Sequence, residues 1–427
     1  MLFARAKSAW LLWISFVIAF GIGHTAAITP LLLSLAAFDA SAHEAYPEDD
    51  GHAPATFSAS QLESVRQRLR TGDEHLQPAY RALLARADRL LLQQPYTVLD
   101  KSGLAHSGDK HDFYSIGKYS WRSESAPGAY VRIDGARNPE AKSDIYDKRR
   151  FNETVRAVNT LALAYYFSGD HVYARKAGDF LRAWFINPET RMRPNFRYAA
   201  SLPGVSDGMF YGIIEGVVLI EMLDHITLLS GSDALSSSEE DELRKWFLSL
   251  AEWLVASDFG KRESRAKNNH GAWYYAQVMS FYLFGGETNT TLSFLPEVRR
   301  QLRSQFAPDG SMPRELARAD PDMYSVYGLR AFITLARITD SLGASLWFEG
   351  EPEPTILNAL RFLKRVHLQE YGKTQGGSIA QPDPYAVQLY RLGAEAYRTD
   401  EFSTVLKALI NRRSSADRYA RLMGPTS

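Results

Sequence analysis

The chain has 427 residues, enough for one large domain or two to three average ones. It is 45% hydrophobic and 12% aromatic, has no net formal charge and contains no cysteine. Neutrality argues against a nucleic-acid binder, which is usually basic, and the missing cysteines exclude disulfides, thiolate catalysis and iron–sulfur clusters.

Residues 1–42 read as a signal peptide. Arg5 and Lys7 precede the apolar run AWLLWISFVIAFGIG, and ASA at Ala40 to Ala42 fits a small-residue cleavage site. A second apolar stretch, ITPLLLSLAAF, lengthens the segment, so an uncleaved signal anchor is the alternative. No other stretch approaches the roughly 18 apolar residues of a membrane helix. The expected location is periplasmic or secreted, with no membrane contact beyond the export signal. Residues 43–60 are polar and read as a linker, leaving 61–427 as a single helical domain.

Within that domain the apolar period is helical. Phe151, Val155, Val158, Leu161 and Tyr165 fall at steps of three and four, and SGD at Ser168 to Asp170 stops the run. Val172, Ala177, Leu181 and Trp184 start a second face, completing an αα-hairpin. Ile213, Val217, Ile220, Leu223 and Ile226 predict another helix, broken by SGSD at Ser230 to Asp233. SSEEDELRKWF then opens the next with serine and acidic residues in capping positions. Strand-like alternation is scarce.

Three irregular segments rich in Gly, Pro, aromatic and charged residues interrupt the hairpins: one around HDFYSIGKYSW, one around NPETRMRPNFRYA, and one around APDGSMPRELARADPDMYSVYG. Loops this long inside a helical domain are usually functional. They favour an all-α fold, an α/α toroid (incomplete α/α barrel) of antiparallel helical hairpins whose loops form a cleft, over an open solenoid.

The chemistry gathers around AKNNHGAWYY, Ala266 to Tyr275. Asn268 and Asn269 are costly to bury without hydrogen bonds. Beside them stand His270, the cations Arg265 and Lys267, and, in the third loop, Arg314, Arg318, Tyr324 and Tyr327. Amide, imidazole, guanidinium and phenol together suit stabilisation of an acidic sugar's carboxylate as it becomes enolate-like.

These segments resemble the alginate lyase superfamily of polysaccharide lyases. NNHGAWY looks like its Asn-Asn-His motif, and PRELARADPDMY like its Pro-x-Glu-Leu-x-Arg segment followed by a tyrosine. The resemblance runs over roughly Asp112 to Phe332. It implies an α/α toroid and metal-independent β-elimination, with no cofactor and an acidic polysaccharide as partner. By position it makes Asn269, His270 and Arg318 the groups that neutralise the C5 carboxylate, and Tyr324 the proton carrier. Tyr119, Trp121, Arg193, Asn195, Tyr198, Trp273 and Tyr327 are the expected sugar contacts. There are departures: Arg193 stands where the family usually has Asn, Ala200 where it has Gln, and Arg122 and Ser123 follow Trp121 where Pro-Asp is common. In mannuronate or glucuronate the C5 proton and O4 lie on the same side, so one tyrosine serves both. In guluronate they lie on opposite sides, which suits His270 as base and Tyr324 as acid. An unperturbed tyrosine has a pKa of about 10, and Tyr324 would need cationic neighbours such as Arg318 to lower it.

Two rivals stand beside this reading. A glycoside hydrolase needs two facing carboxyls, from among Glu315, Asp320, Asp322, Asp207 and Glu215. Glu315 reads better as a structural salt bridge or a loop clamp. A non-catalytic uronate-binding protein would use the same Arg and Asn groups without cleavage. HSGDKHD, with His106, Asp109, His111 and Asp112, fits no strong zinc spacing and reads as a polar loop.

Overall fold

Phe151, Val155, Val158 and Leu161 are all buried in one 21-residue helix, as their spacing predicts. The computed structural model describes residues 53–372 and 384–412. The expected signal peptide and residues 43–52 of the expected linker lie outside the described residues. In chain order the helices are α1 (Ala59–Arg70), α2 (Gln77–Leu91), α3 (Lys148–Ser168), α4 (His171–Leu181), α5 (Val218–Thr227), α6 (Ser237–Ala256), α7 (Asp258–Glu263), α8 (Asn269–Phe284), α9 (Thr288–Ser293), α10 (Leu295–Gln305), α11 (Pro313–Leu316), α12 (Pro321–Ser341), α13 (Thr355–Gly372), α14 (Pro384–Tyr397) and α15 (Ser403–Arg412). Among the described residues no helix is long and apolar enough to cross a membrane.

The hairpin joints follow local chemistry. Gly169 ends α3 in the left-handed conformation (φ 73°), and its N–H donates to the Tyr165 carbonyl at 2.7 Å. The Asp170 carboxylate then accepts from Val172 N and starts α4. At α6, Ser236 and Glu239 form a reciprocal capping box. The helix expected over 213–226 is divided: Phe210–Val217 is 3₁₀ and α5 follows. The 3₁₀ segment is closely packed: a Cβ on Gly212 or Gly216 would come within 2.7 Å of Ala199 or the Phe196 ring.

α3, α5, α8, α12 and α14 pack in succession as an inner row. α4 covers α3, α6 covers α8, α10 covers α8 and α12, and α13 and α15 cover α14. Inner helices α3, α8 and α12 are buried around most of their circumference, so apolar and aromatic residues occur on every face. This is the α/α toroid of helical hairpins expected from the sequence. The described residues belong to one compact unit. Among them, strands are confined to two small pairs: β1 (Tyr114–Ile116) parallel to β4 (Tyr198–Ser201), and β2 (Ser120–Arg122) antiparallel to β3 (Tyr130–Arg132).

The last part of the expected linker is instead built into the fold. Phe57 is buried against His225, and Thr56 donates to the Asp224 carboxylate from both N and Oγ1. Arg337 on α12 donates to the carbonyls of Pro54 and Phe57. A polar composition there serves buried hydrogen bonding rather than solvation.

Candidate active site

α8 begins at Asn269, and its first turn carries the residues that drew attention in the sequence. The preceding Asn268 is extended and makes no side-chain cap. Glu315 supplies the acceptor from α11: its carboxylate takes Asn269 N at 2.7 Å through Oε1 and Asn269 Nδ2 at 2.7 Å through Oε2. Both residues are buried, so the anion satisfies an orphan helix N–H, complements the helix dipole and fixes the Asn269 amide plane together. Glu315 is thus the clamp the sequence suggested.

The neighbouring imidazole is also held by a carboxylate. His270 Nδ1 lies 2.6 Å from Glu263 Oε1, at the end of α7. Glu263 is 1% exposed and its other oxygen has no hydrogen-bond partner. With Nδ1 donating to Glu263, the ring's remaining nitrogen, Nε2, is left for chemistry.

The phenol comes from α12. Tyr324 and Tyr327, expected in a loop, sit in its first two turns, because Pro321 occupies the opening turn and Asp320 caps it by accepting from Met323 N. Tyr324 Oη lies 2.7 Å from Tyr119 Oη, and the Arg318 guanidinium lies 3.6 Å from the Tyr324 ring centroid. Arg318 is itself held by Asp134 through Nε at 2.9 Å and Nη2 at 2.6 Å. That arginine keeps the Asp134 carboxyl well below the usual carboxylate range.

The expected lowering of Tyr324 is not seen. Burial and the bond to Tyr119 push its phenol above the usual value, and the Arg318 charge does not offset them. In Tyr119 burial again raises the pKa, but the Tyr324 hydrogen bond and the charges of Lys118 and Arg137 bring it below the usual value overall. The two phenols therefore titrate as a pair, with Tyr119 shifted down and Tyr324 shifted up.

Asn269, His270, Arg318, Tyr324, Tyr119 and Tyr327 all line one cavity of about 490 Å³. Eight Lys and Arg side chains share its wall with two Glu, a cationic surplus that the neutral chain as a whole conceals. Ala200, where the family has Gln, also lies on the wall, in a left-handed conformation (φ 51°). Among the described residues no group of three or more His, Asp or Glu could hold a metal ion.

Several expected sugar contacts are placed elsewhere. Trp121 donates from Nε1 to the Ala136 carbonyl, bracing the β2–β3 hairpin, and is not on the cavity wall. Arg193 pairs with Asp109 and lines a separate hollow with His111 and Trp246. The Asn195 side chain closes a turn by accepting from Arg197 N. Tyr198 stands in β4 opposite Tyr114 and is not on the cavity wall. Trp273 is 1% exposed and packs at a tilt against the Tyr327 ring, so it supports the wall rather than forming it.

A sequence model described as Alginate lyase matches residues 97–370. An alginate lyase from Bacteroides ovatus is 32% identical, covering 88% of this chain and 99% of its own, with a TM-score of 0.79. The chain belongs to the alginate lyase family. It is a polysaccharide lyase by that membership. Alginate lyase A1-III from Sphingomonas species A1 has the same fold at 14% identity, with a TM-score of 0.55 over 88% of this chain and 97% of its own. A histidine-to-alanine variant of that A1-III enzyme, complexed with a tetrasaccharide, matches at 13% identity and a TM-score of 0.55, over 89% of this chain and 97% of its own. No curated protein matches the chain.

Sequence reasoning missed two groups that position this lyase's site. Glu263 had a signal: it is the sole carboxylate between Asp258 and His270 in a cationic stretch. Asp134 had none, being 184 residues from Arg318. Tyr119, expected as a sugar contact, lines the cavity, and its hydroxyl also bonds the Tyr324 phenol.

Proposed function

We propose that this lyase cleaves a uronate polymer, alginate or a close analogue, by β-elimination through the Tyr119–Tyr324 pair. The observation that carries the reading is the 2.7 Å phenol–phenol bond on the wall that also holds Asn269 and His270. Asn269 has a second amide hydrogen free of Glu315, and with His270 and Arg318 it disperses the charge of the C5 carboxylate. One proton leaves the pair to solvent, from Tyr119 as the more acidic phenol, and Tyr119 then takes the one on Tyr324. The Tyr324 oxyanion removes H5. The C5–H electrons become the C4=C5 double bond, the C4–O4 bond breaks, and its electron pair is protonated at O4 by Tyr324. The products are an unsaturated uronate and a new reducing end.

A second reading of the base has its own support. Glu263 on Nδ1 leaves the Nε2 lone pair of His270 as a base, which suits guluronate, where H5 and O4 lie on opposite faces. Tyr324, which keeps its proton, is then the acid. The cationic wall supports a polyanionic substrate, and the complex of the A1-III variant with a tetrasaccharide supports an oligosaccharide as the kind of ligand. The apolar run behind Arg5 and Lys7 supports an exported enzyme, periplasmic or secreted.

The test is to incubate the protein with polymannuronate, polyguluronate and polyglucuronate and follow ultraviolet absorbance. Absorbance should rise with at least one polymer. No rise with any of the three contradicts the proposal. A His270→Ala variant that fails on guluronate alone assigns the base there to His270; equal loss on all three assigns it to charge neutralisation.

A further inference from the structure

The cavity continues past Tyr324. α3, α8 and α12 all start at it, so residues further along each helix lie deeper between them. On α3 the wall is Lys148, Asn152 and Arg156, one per turn at about 6 Å per step. On α12 it is Tyr324, Tyr327 and Arg330, about 9 Å from first to last. The rest of α3 is mostly buried, yet Arg156 is exposed to the cavity. Among the described residues no carboxylate pairs with it, whereas Lys148 is already bound to Glu215 at 2.8 Å. Arg330 is built in differently: its guanidinium lies 3.5 Å over the Tyr385 ring and 3.2 Å from Glu221, with the side chain 11% exposed.

We propose that Arg156, with Asn152 and the Arg330–Tyr385 stack, forms an inner subsite for the carboxylate of a uronate beyond the sugar that is cleaved. The proposal rests on the uronate-lyase reading above. A guanidinium without a partner in a cavity is a fork for a carboxylate. The stacked Arg330 and Tyr385 add a flat, half-neutralised surface against which a sugar ring can lie. A polymer with an acid on every sugar presents its carboxylates at regular intervals, and the two cations that α3 places on the wall, Lys148 and Arg156, stand about 12 Å apart with the Asn152 amide between them. A neutral glycan would gain nothing from Arg156.

The parent, Arg156→Gln and Arg175→Gln, a control on the outer surface, are assayed on oligouronates of increasing length. For Arg156→Gln the KM on the longer members should rise about tenfold, the size of one lost charge-assisted hydrogen bond, with kcat moving far less. The loss should shrink as the chain shortens, and Arg175→Gln should follow the parent. A loss equal at all lengths, or no loss, overturns the subsite. The same oligosaccharides are titrated calorimetrically into Tyr324→Phe with and without Arg156→Gln. A length-dependent weakening there upholds the subsite even if the parent forms no unsaturated product. Its absence overturns the subsite even if elimination stands.

Discussion

Glu315 holds Asn269 by two hydrogen bonds of 2.7 Å, one to the backbone nitrogen and one to the side-chain amide. Both partners are buried, so the amide that faces the cavity has one orientation. Glu315→Ala leaves a helix N–H and an amide without their acceptor. Stability should fall by about 2–4 kcal/mol, read from the denaturant midpoint. Any remaining cleavage should still give unsaturated product. A hydrolase using Glu315 as its acid would lose cleavage altogether.

Tyr324→Phe removes the hydroxyl and keeps the ring under Arg318. Turnover should fall on the order of 10²–10⁴-fold, the usual size of a lost acid–base group. Oligosaccharide affinity should change far less, since Asn269, His270 and Arg318 remain. Comparison of kcat with calorimetric binding checks this, and near-parental turnover would remove Tyr324 from the chemistry.

Glu263 orients His270 without facing the cavity itself. Glu263→Gln retains the volume but loses the anion and allows the ring to turn. A displaced catalytic group costs on the order of 100-fold. The expected result is a fall of that order in kcat, with the fold intact by circular dichroism and KM little changed. A loss confined to KM would make His270 a binding residue only.

The pH dependence follows from the phenol pair. The relay needs Tyr119 deprotonated, so kcat/KM should climb as pH rises through a pKa below the usual value of about 10. In Tyr119→Phe that limb should disappear or move to higher pH, because Tyr324 alone is pushed upward by burial. An unchanged profile in Tyr119→Phe would exclude the relay.

Lys101 and Asp147 form a fully buried ion pair at 2.9 Å that ties the loop before β1 to the start of α3. Asp147 also accepts from Tyr114 N, in the strand that leads to Tyr119. Asp147→Asn leaves the ammonium buried without its anion, which typically costs about 3–5 kcal/mol. Thermal or denaturant unfolding measures the loss, and a change under about 1 kcal/mol would show that the carbonyls of Val98 and Lys110 suffice for Lys101.

The helices were legible because burial on one face imposes a period, and the caps at Asp170 and Ser236 because they act within three residues. The motif residues Asn269, His270, Arg318 and Tyr324 do converge on one wall. What the sequence hid was partnership across distance. Nothing local marks Asp134 as the anion for Arg318, or Tyr119 as the partner of Tyr324, 205 residues away. Composition also misled where a residue type has two uses. Trp273 and Trp121 have the chemistry of sugar platforms, but one is core and the other braces a hairpin. Arg193 has the charge of a subsite cation, but it pairs with Asp109 beside a separate hollow.

Elimination and hydrolysis differ by one water per cut. A defined oligouronate treated with the parent protein and weighed by mass spectrometry gives fragment pairs whose masses add to that of the intact chain plus whatever water entered. β-Elimination through Tyr119 and Tyr324 should give pairs that sum to the intact chain, one member of each carrying the C4=C5 double bond. Pairs heavier by one water, or an uncut oligosaccharide that nevertheless binds, would contradict it.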